Sequence, residues 1–529
     1  MKNVFKPLAL ASAVAAVSAG YAGVVNAEAV LADNSGLGDL AIVPYYTVRE
    51  GYSTGVSVVN TSNETQVIKI RLRRAVDSMD ALDFNVIMSP WDVWNGYIQA
   101  DGDDIRFYSN DASCTAPAMT DGSFLMPNIY REGAEEGYIE VIGMGAASNA
   151  QPISAAALHV QPAGVPASCD LVRDNFFPGD NNSDYGTGAN LARRGVIDSE
   201  TSHQRNLTVP GTFNQSKFTD TGNVLKVSYF IKSDATGTEF GDDAVHLANF
   251  MTGPSITNQK FGINQGDLQG FDYPDLNGGA VFGTFVDPVA GAGERPVYQD
   301  VRSAIGGVAV INNWSANTTD MFTVDTDWVV TTPGQYNMTN LWIYADANDS
   351  DPSGDLCTGG VPGLNNYVAL TGANCDFRDI PLTATFAVFD REERGIVIQE
   401  GDLVVSPQPP NEVSKDTLRQ EVNVISWGTS TVLGAQPSLT VKQPDGAQAG
   451  WAKMGVSQWA GTQQAICSIT GLASPNANAV PTQSNPMPVL CVATDTPVPL
   501  VGFVAWQRNF GVNADANYGR IVGHSYSSN

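Results

Sequence analysis

In "FAVFDREERGIVIQ", residues 386–399, five charged side chains stand in a row between two apolar runs, in a chain that is only 16% charged. Asp390, Glu392 and Glu393 offer carboxylates, and Arg391 and Arg394 offer cations to steady them. Two carboxyl groups set about 5–9 Å apart are what glycoside hydrolysis requires. The same five residues also suit the polar corner between two strands. Arginines in one turn with the acids lower their pKa values and keep them ionised, which disfavours a general acid. The corner accounts better for the run, and no residue is assigned a catalytic role.

Oxygen-rich loops are the second source of chemistry. "DANDSDPSGD" holds Asp346, Asn348, Asp349, Asp351 and Asp355 within ten residues. "PGDNNSDYG" holds Asp180, Asn181, Asn182 and Asp184, and "DGDD" holds Asp101, Asp103 and Asp104. Calcium takes about six to eight oxygens, which alternate Asp and Asn side chains on a tight loop supply. None of these loops has the glycine and the closing glutamate of an EF-hand. Asp346, Asn348, Asp349, Asp351 and Asp355 are the expected calcium ligands, and a solvated acidic turn is the alternative. No other cofactor is implied.

Six cysteines, Cys114, Cys169, Cys357, Cys375, Cys467 and Cys491, are spaced for sequential bridges 114–169, 357–375 and 467–491. Six cysteines allow 15 pairings, so this order is a preference. There is no CxxC, and His159, His203, His246 and His524 are scattered, so a zinc site of ordinary spacing is absent from the sequence. GxSxG, HExxH, P-loop and dinucleotide-binding motifs are also missing. "SPWDVWNGYI" brings Trp91, Trp94 and Tyr97 close together. Two aromatics three residues apart on a strand face opposite sides. All three are expected to pack against a sheet rather than form a sugar platform.

The elements that would hold these groups are strands. In "TQVIKIRLRRA", Ile68, Ile70 and Leu72 alternate with Lys69, Arg71 and Arg73, the pattern of a half-buried strand. "STGVSVVN" before it and the turn formers "TSNET" complete a hairpin. "NVLKVSYFIK", "GYIEVIG", "LTATFAVF" and "EVNVISW" repeat the theme, while only "ISAAALHV" and "KDTLRQEV" read as short helices. With 52 glycines and 29 prolines punctuating these runs, the expected fold is all-β, built of sandwich or jelly-roll-like domains. Gly/Asn/Asp/Pro-rich loops occupy roughly 145–215, 255–300, 345–380 and 470–500, too long for simple connections. The expected division is 1–27, 28–300 and 301–529.

Lys2 and Lys6, the apolar "LALASAVAAVSAG" and the small residues of "VNA" read as a secretory signal peptide cut after Ala27. No later run is long and apolar enough for a membrane helix, which needs roughly 20 residues. The chain carries 28 basic and 55 acidic side chains. The leader removes two lysines, leaving 26 against 55, a net charge of −29. A surface so negative repels nucleic acid and attracts divalent cations.

The long block "LGDLAIVPYYTVREGYSTGVSVVNTSNETQVIKIRLRRAVDSMDALDFNVIMSPWDVWNGYI", followed in order by "DTDWVVTTPG", "AVFDREER" and "EVNVISW", resembles a family of exported proteobacterial cell-surface proteins. Its marine gammaproteobacterial branch resembles surface-layer proteins that tile the outer membrane in a square lattice. Here "TDWVVTTPGQY" departs from the form common in that family, with Thr332 and Gly334 at the changed positions. The resemblance implies a non-catalytic structural subunit, secreted to the cell surface and associating with copies of itself. Lipopolysaccharide or the outer-membrane surface is the implied anchor, and outer-membrane vesicles and biofilm matrix are implied settings. The alternative from another class is a secreted carbohydrate-binding or adhesive protein; a hydrolase ranks third.

Overall fold

Alternating runs of the sequence become extended backbone throughout the computed structural model. It describes residues 29–76, 78, 80–126, 131, 133–174, 218–251, 253–256, 274–276, 278, 296–319, 321–334, 382–398, 417–427, 432–458, 497–511 and 513–527. Only three short α-helices, Pro152–Ala157, Cys169–Asp174 and Pro296–Ala304, interrupt the strands among these residues. The protein is all-β. "ISAAALHV" forms the first of these helices, but the described part of "KDTLRQEV" is extended, with Thr417–Leu418 pairing Leu382–Asp390. Helix propensity there yields to an available sheet edge.

Two antiparallel sheets make a sandwich from the first half of the chain. The seven-stranded sheet runs Val30–Leu31, Val245–Ala248, Leu40–Thr47, Glu136–Ala147, Thr65–Arg74, Asp80–Met88, Cys114–Ala116. The six-stranded sheet runs Thr238–Asp243, Leu225–Ser233, Tyr52–Asn60, Val93–Asp101, Asp104–Tyr108, Ser123–Leu125. Phe84 of the first lies 6.0, 5.2 and 4.6 Å from the rings of Trp94, Phe107 and Phe124 of the second. Those contacts fix the two inner faces against each other.

The alternation in Thr65–Arg74 is real, but the strand is not half-buried. Lys69, Arg71 and Arg73 are fully buried, which corrects the expectation of a solvent-facing row. Arg73 Nε meets Glu140 Oε1 at 3.1 Å, Arg71 Nη2 meets Asp80 Oδ2 at 2.8 Å, and Lys69 Nζ lies 3.6 Å from Asp83 Oδ2. These pairs run diagonally across the register, in which Glu140 stands opposite Arg71, Asp83 opposite Arg71 and Asp80 opposite Arg73. Among the described residues, three cations and three carboxylates interleave in this layer. The cover comes from distant chain: Arg71 Nη1 donates to Pro274 O at 2.9 Å, and Gly334 N donates to Tyr138 Oη at 3.2 Å.

An eleven-stranded sheet occupies the second half, following Gly395–Ile398, Leu382–Asp390, Ala449–Gln458, Ala309–Thr318, Thr323–Thr331, Val422–Ser426, Leu439–Thr440. Val501–Asn509 pairs the free edge of Thr323–Thr331, and Tyr518–Gly523 pairs Val501–Asn509 in turn. The sheet curls so that Trp427 stacks on Trp314 at 5.6 Å and tilts onto Trp328 at 4.9 Å. A buried aromatic removes about 150–250 Å² from water, roughly 4–6 kcal/mol each at 25 cal/mol/Å².

Among the described residues every ladder lies wholly before or wholly after residue 300, but the hydrophobic core does not. Val329, Val424, Phe503 and Ala505 join the sandwich core, while their neighbours Trp328, Ile425 and Val504 fill the second core. Alternate residues of these strands thus feed two cores, as period-two geometry demands. Buried bonds reinforce the junction. Tyr52 Oη donates to Val432 O at 2.5 Å, Thr331 Oγ1 to Pro44 O at 2.6 Å, and Gln507 Nε2 to Thr238 Oγ1 at 2.7 Å.

Candidate functional site

The "DREER" run forms the corner of the hairpin between Leu382–Asp390 and Gly395–Ile398. Asp390 is buried and organises the turn: its Oδ1 accepts from Glu392 N at 2.9 Å and Arg394 N at 2.8 Å, and its Oδ2 pairs with Arg394 Nε at 2.7 Å. Glu393 adopts the left-handed region at φ 64°, which lets the chain reverse. Asp390 is thereby committed to the turn, while Arg391, Glu392 and Glu393 stay exposed.

This corner borders a cleft of about 650 Å³ that opens onto the second core, with Trp314, Val324 and Trp506 among its lining residues. Its walls follow from strand register. Along Ala309–Thr318, Asn313, Trp314, Ser315 and Asn317 all line the cleft, and Trp314 also packs into the second core. Trp451 stands opposite both Asn313 and Phe389, and its ring stacks on Phe389 at 4.5 Å with 44% of the residue exposed. Gly450 beside it is required: a Cβ there would sit 1.8 Å from Phe389 O.

The opposite wall is two register rows. Trp506 and Arg520 line the cleft from one, beside Thr326, and Val324 and Arg508 from the next, beside Tyr518. The Arg520 guanidinium lies 4.5 Å over the Trp506 ring, and that of Arg508 lies 3.9 Å over Phe322 and 5.5 Å from Phe510. Stacking holds each planar fork in place; Arg508 Nη1 donates to Tyr518 Oη at 3.5 Å, while Arg508 Nη2 and the donors of Arg520 have no protein partner among the described residues. Arg391, Arg508 and Arg520 form no ion pair among the described residues. Two atoms in the wall are buried without a hydrogen-bond partner, Arg508 Nε and Asn317 Oδ1. Asn317 and Arg508 flank Val324 in one row, roughly 10 Å apart by strand spacing. With Asp390 balanced by Arg394, the three arginines face Glu393 alone among the described lining residues, which are thus locally cationic on a chain of net charge −27.

Buried titratable groups elsewhere serve the fold. Burial pushes Asp327 up to about 7, although amides Val432 N and Leu433 N, 2.7 and 3.1 Å from its Oδ2, pull it back. Burial likewise raises Asp39 to about 6 against the amides of Met251 and Phe250. His524 is driven down to about 4 by burial, with Nε2 donating to Val329 O at 2.9 Å. These carboxylates clamp loops; they do not converge.

The other expected residues fall in several places. Cys114 and Cys169 are bridged, with Cα atoms 5.2 Å apart. Cys357, Cys375, Cys467 and Cys491 lie outside the described residues, as do the calcium candidates Asp346, Asn348, Asp349, Asp351 and Asp355, and Asp180–Asp184. In "DGDD", Asp101 pairs with Arg106 at 2.9 Å and Asp104 pairs with Arg131. Trp94 is in the core and stacks on Phe107 at 5.8 Å; Tyr97 is half-buried and stacks on Tyr108 at 5.3 Å. Trp91 corrects its expectation, being 66% exposed. It occupies the turn after Pro90 at φ 62°, where the side chain swings away from the sheet.

Trp451, Trp506, Arg508 and Arg520 carry the cleft, and no motif marks them in the sequence. The available signal is an aromatic or arginine on the polar phase of a strand. Trp451 precedes the inward series Ala452, Met454 and Val456, and Trp506 and Arg508 alternate with the buried positions of "VGFVAWQRNF". No family model, curated protein or solved structure matches this chain.

Proposed function

We propose that this protein is a non-catalytic structural subunit exported to the bacterial cell surface, where copies associate laterally into a two-dimensional layer. The observation that carries this reading is the sharing of core between all three large sheets through strands buried on both faces. A tile must hold its outline under load, and such strands prevent the halves from hinging. The resemblance of the long block 37–98 and of "AVFDREER" to exported surface proteins supports the same reading. At −29 after the leader, subunits repel one another, and screening acts over only about 10 Å at 0.1 M salt. Close packing then needs complementary patches or ions between carboxylates. Calcium accepts oxygens from two chains, and Asp346, Asp349 and Asp351 are the proposed ligands. Lipopolysaccharide is the proposed anchor. Purified protein stripped of divalent ions and then given calcium should form periodic sheets visible by electron microscopy. A protein that stays monomeric at high concentration with calcium, and is scarce on cells, defeats the reading.

A further inference from the structure

We propose that the cleft of the eleven-stranded sheet binds an acidic saccharide, a chain of pyranose rings carrying carboxylates, with Trp451 stacking on a ring face and Arg508 and Arg520 taking the carboxylates. The inference does not depend on lateral assembly. It rests on three features of the site. First, Trp451 presents one face to the cleft while Phe389 supports the other at 4.5 Å. An indole so braced offers the flat apolar surface that the C–H face of a pyranose matches.

Second, the guanidiniums of Arg508 and Arg520 are pre-oriented by Phe322 and Trp506 and form no ion pair among the described residues. A planar fork held on an aromatic and lacking an ionic partner is suited to a carboxylate, whose two oxygens it meets in plane. Third, Arg508 Nε and Asn317 Oδ1 are buried and unpartnered on either side of Val324. Each such atom is a standing penalty until something bonds it. A sugar that draws these two side chains outward supplies both needs at once, an oxygen for the donor and a hydroxyl for the acceptor, across the roughly 10 Å of a row about two rings long. Simple anions fill only the cationic part. An acidic peptide would satisfy the arginines but leaves the exposed indole without its flat partner.

Titration of the full-length protein with trigalacturonate, followed by calorimetry and tryptophan fluorescence, tests this, with maltotriose, inorganic phosphate and an oligo-glutamate peptide as comparison probes. Trigalacturonate should bind, more weakly as salt rises, and maltotriose should bind far less. Arg508→Gln and Arg520→Gln should each weaken binding roughly tenfold to a hundredfold, as expected for one charge-assisted hydrogen bond. Trp451→Ala should also weaken it, while Trp91→Ala, an exposed tryptophan of the other half, should leave it unchanged. Should Arg508→Gln unfold by circular dichroism, the variants of the exposed Arg520 and Trp451 decide the outcome. Equal binding of neutral and acidic sugars overturns the proposal, as does unchanged affinity in folded variants. Binding of phosphate alone or of oligo-glutamate as tightly as the uronate at these residues overturns it too, and so does failure of the uronate to bind.

Discussion

Replacing Asp327 by asparagine should flatten the dependence of stability on pH. Burial raises the Asp327 carboxyl from its ordinary 3.8 to about 7. Below about pH 4 both folded and unfolded chains hold this proton, and the group imposes no ionisation penalty. As pH rises, the unfolded chain ionises first, so stability falls until the folded carboxyl also ionises near 7. The gap of about three pH units at 1.36 kcal/mol each gives roughly 4 kcal/mol lost across that window, an upper figure for a group that can relax. Asparagine keeps an oxygen for the amides of Val432 and Leu433, and places its NH2 where Oδ1 now has no partner. That misplaced donor costs about 1–3 kcal/mol at every pH. Urea unfolding of both proteins between about pH 4 and about pH 8 separates the effects. The variant should be the less stable at the acid end and gain on the parent as pH rises. Asp39, raised to about 6, titrates in both proteins and cancels from the difference. A stability difference that stays constant across the range refutes the reasoning.

Two further perturbations test the frame. Replacing Cys114 and Cys169 together by serine opens a loop of 55 residues, and should lower stability by about 4 kcal/mol in denaturant titrations. The unfolded but unreduced parent should take up no thiol label, since Cys357, Cys375, Cys467 and Cys491 are expected to be bridged as well. Glu140→Gln removes the carboxylate 3.1 Å from Arg73 Nε inside the seven-stranded sheet, and should cost about 3–5 kcal/mol by breaking a buried ion pair. Adding Arg73→Met should restore part of that loss; a double variant no better than the single one contradicts the pairing.

Period-two patterning makes most of the architecture legible in the sequence, because a strand's alternation is local. What covers each face is not local. Lys69, Arg71 and Arg73 read as a wet face, and nothing nearby in the chain announces that Pro274 and the turn at Gly334 close over that side. The hairpin corner is legible from five charges between two apolar runs, and Asp390 explains why they stand there. Trp91 escapes the pattern because alternation does not carry past Pro90 into a turn where the residue takes a positive φ. The cleft is hidden for a different reason. Its walls come from "GWAKM", "AWQRN" and "NYGRI", which meet only through ladders that cross the second half of the chain.

Strands that serve two cores also govern how the chain can be made. Tyr52 bonds Val432 across 380 residues of sequence, and the sandwich core is finished by Phe503 and Ala505. Emerging from the ribosome in order, the first two sheets must wait with apolar surface uncovered until nearly the last strand arrives. Long-range closure of this kind is slow, and open edges and bare apolar faces invite association in the meantime. A chain with this topology carries that uncovered surface for nearly the whole duration of its synthesis.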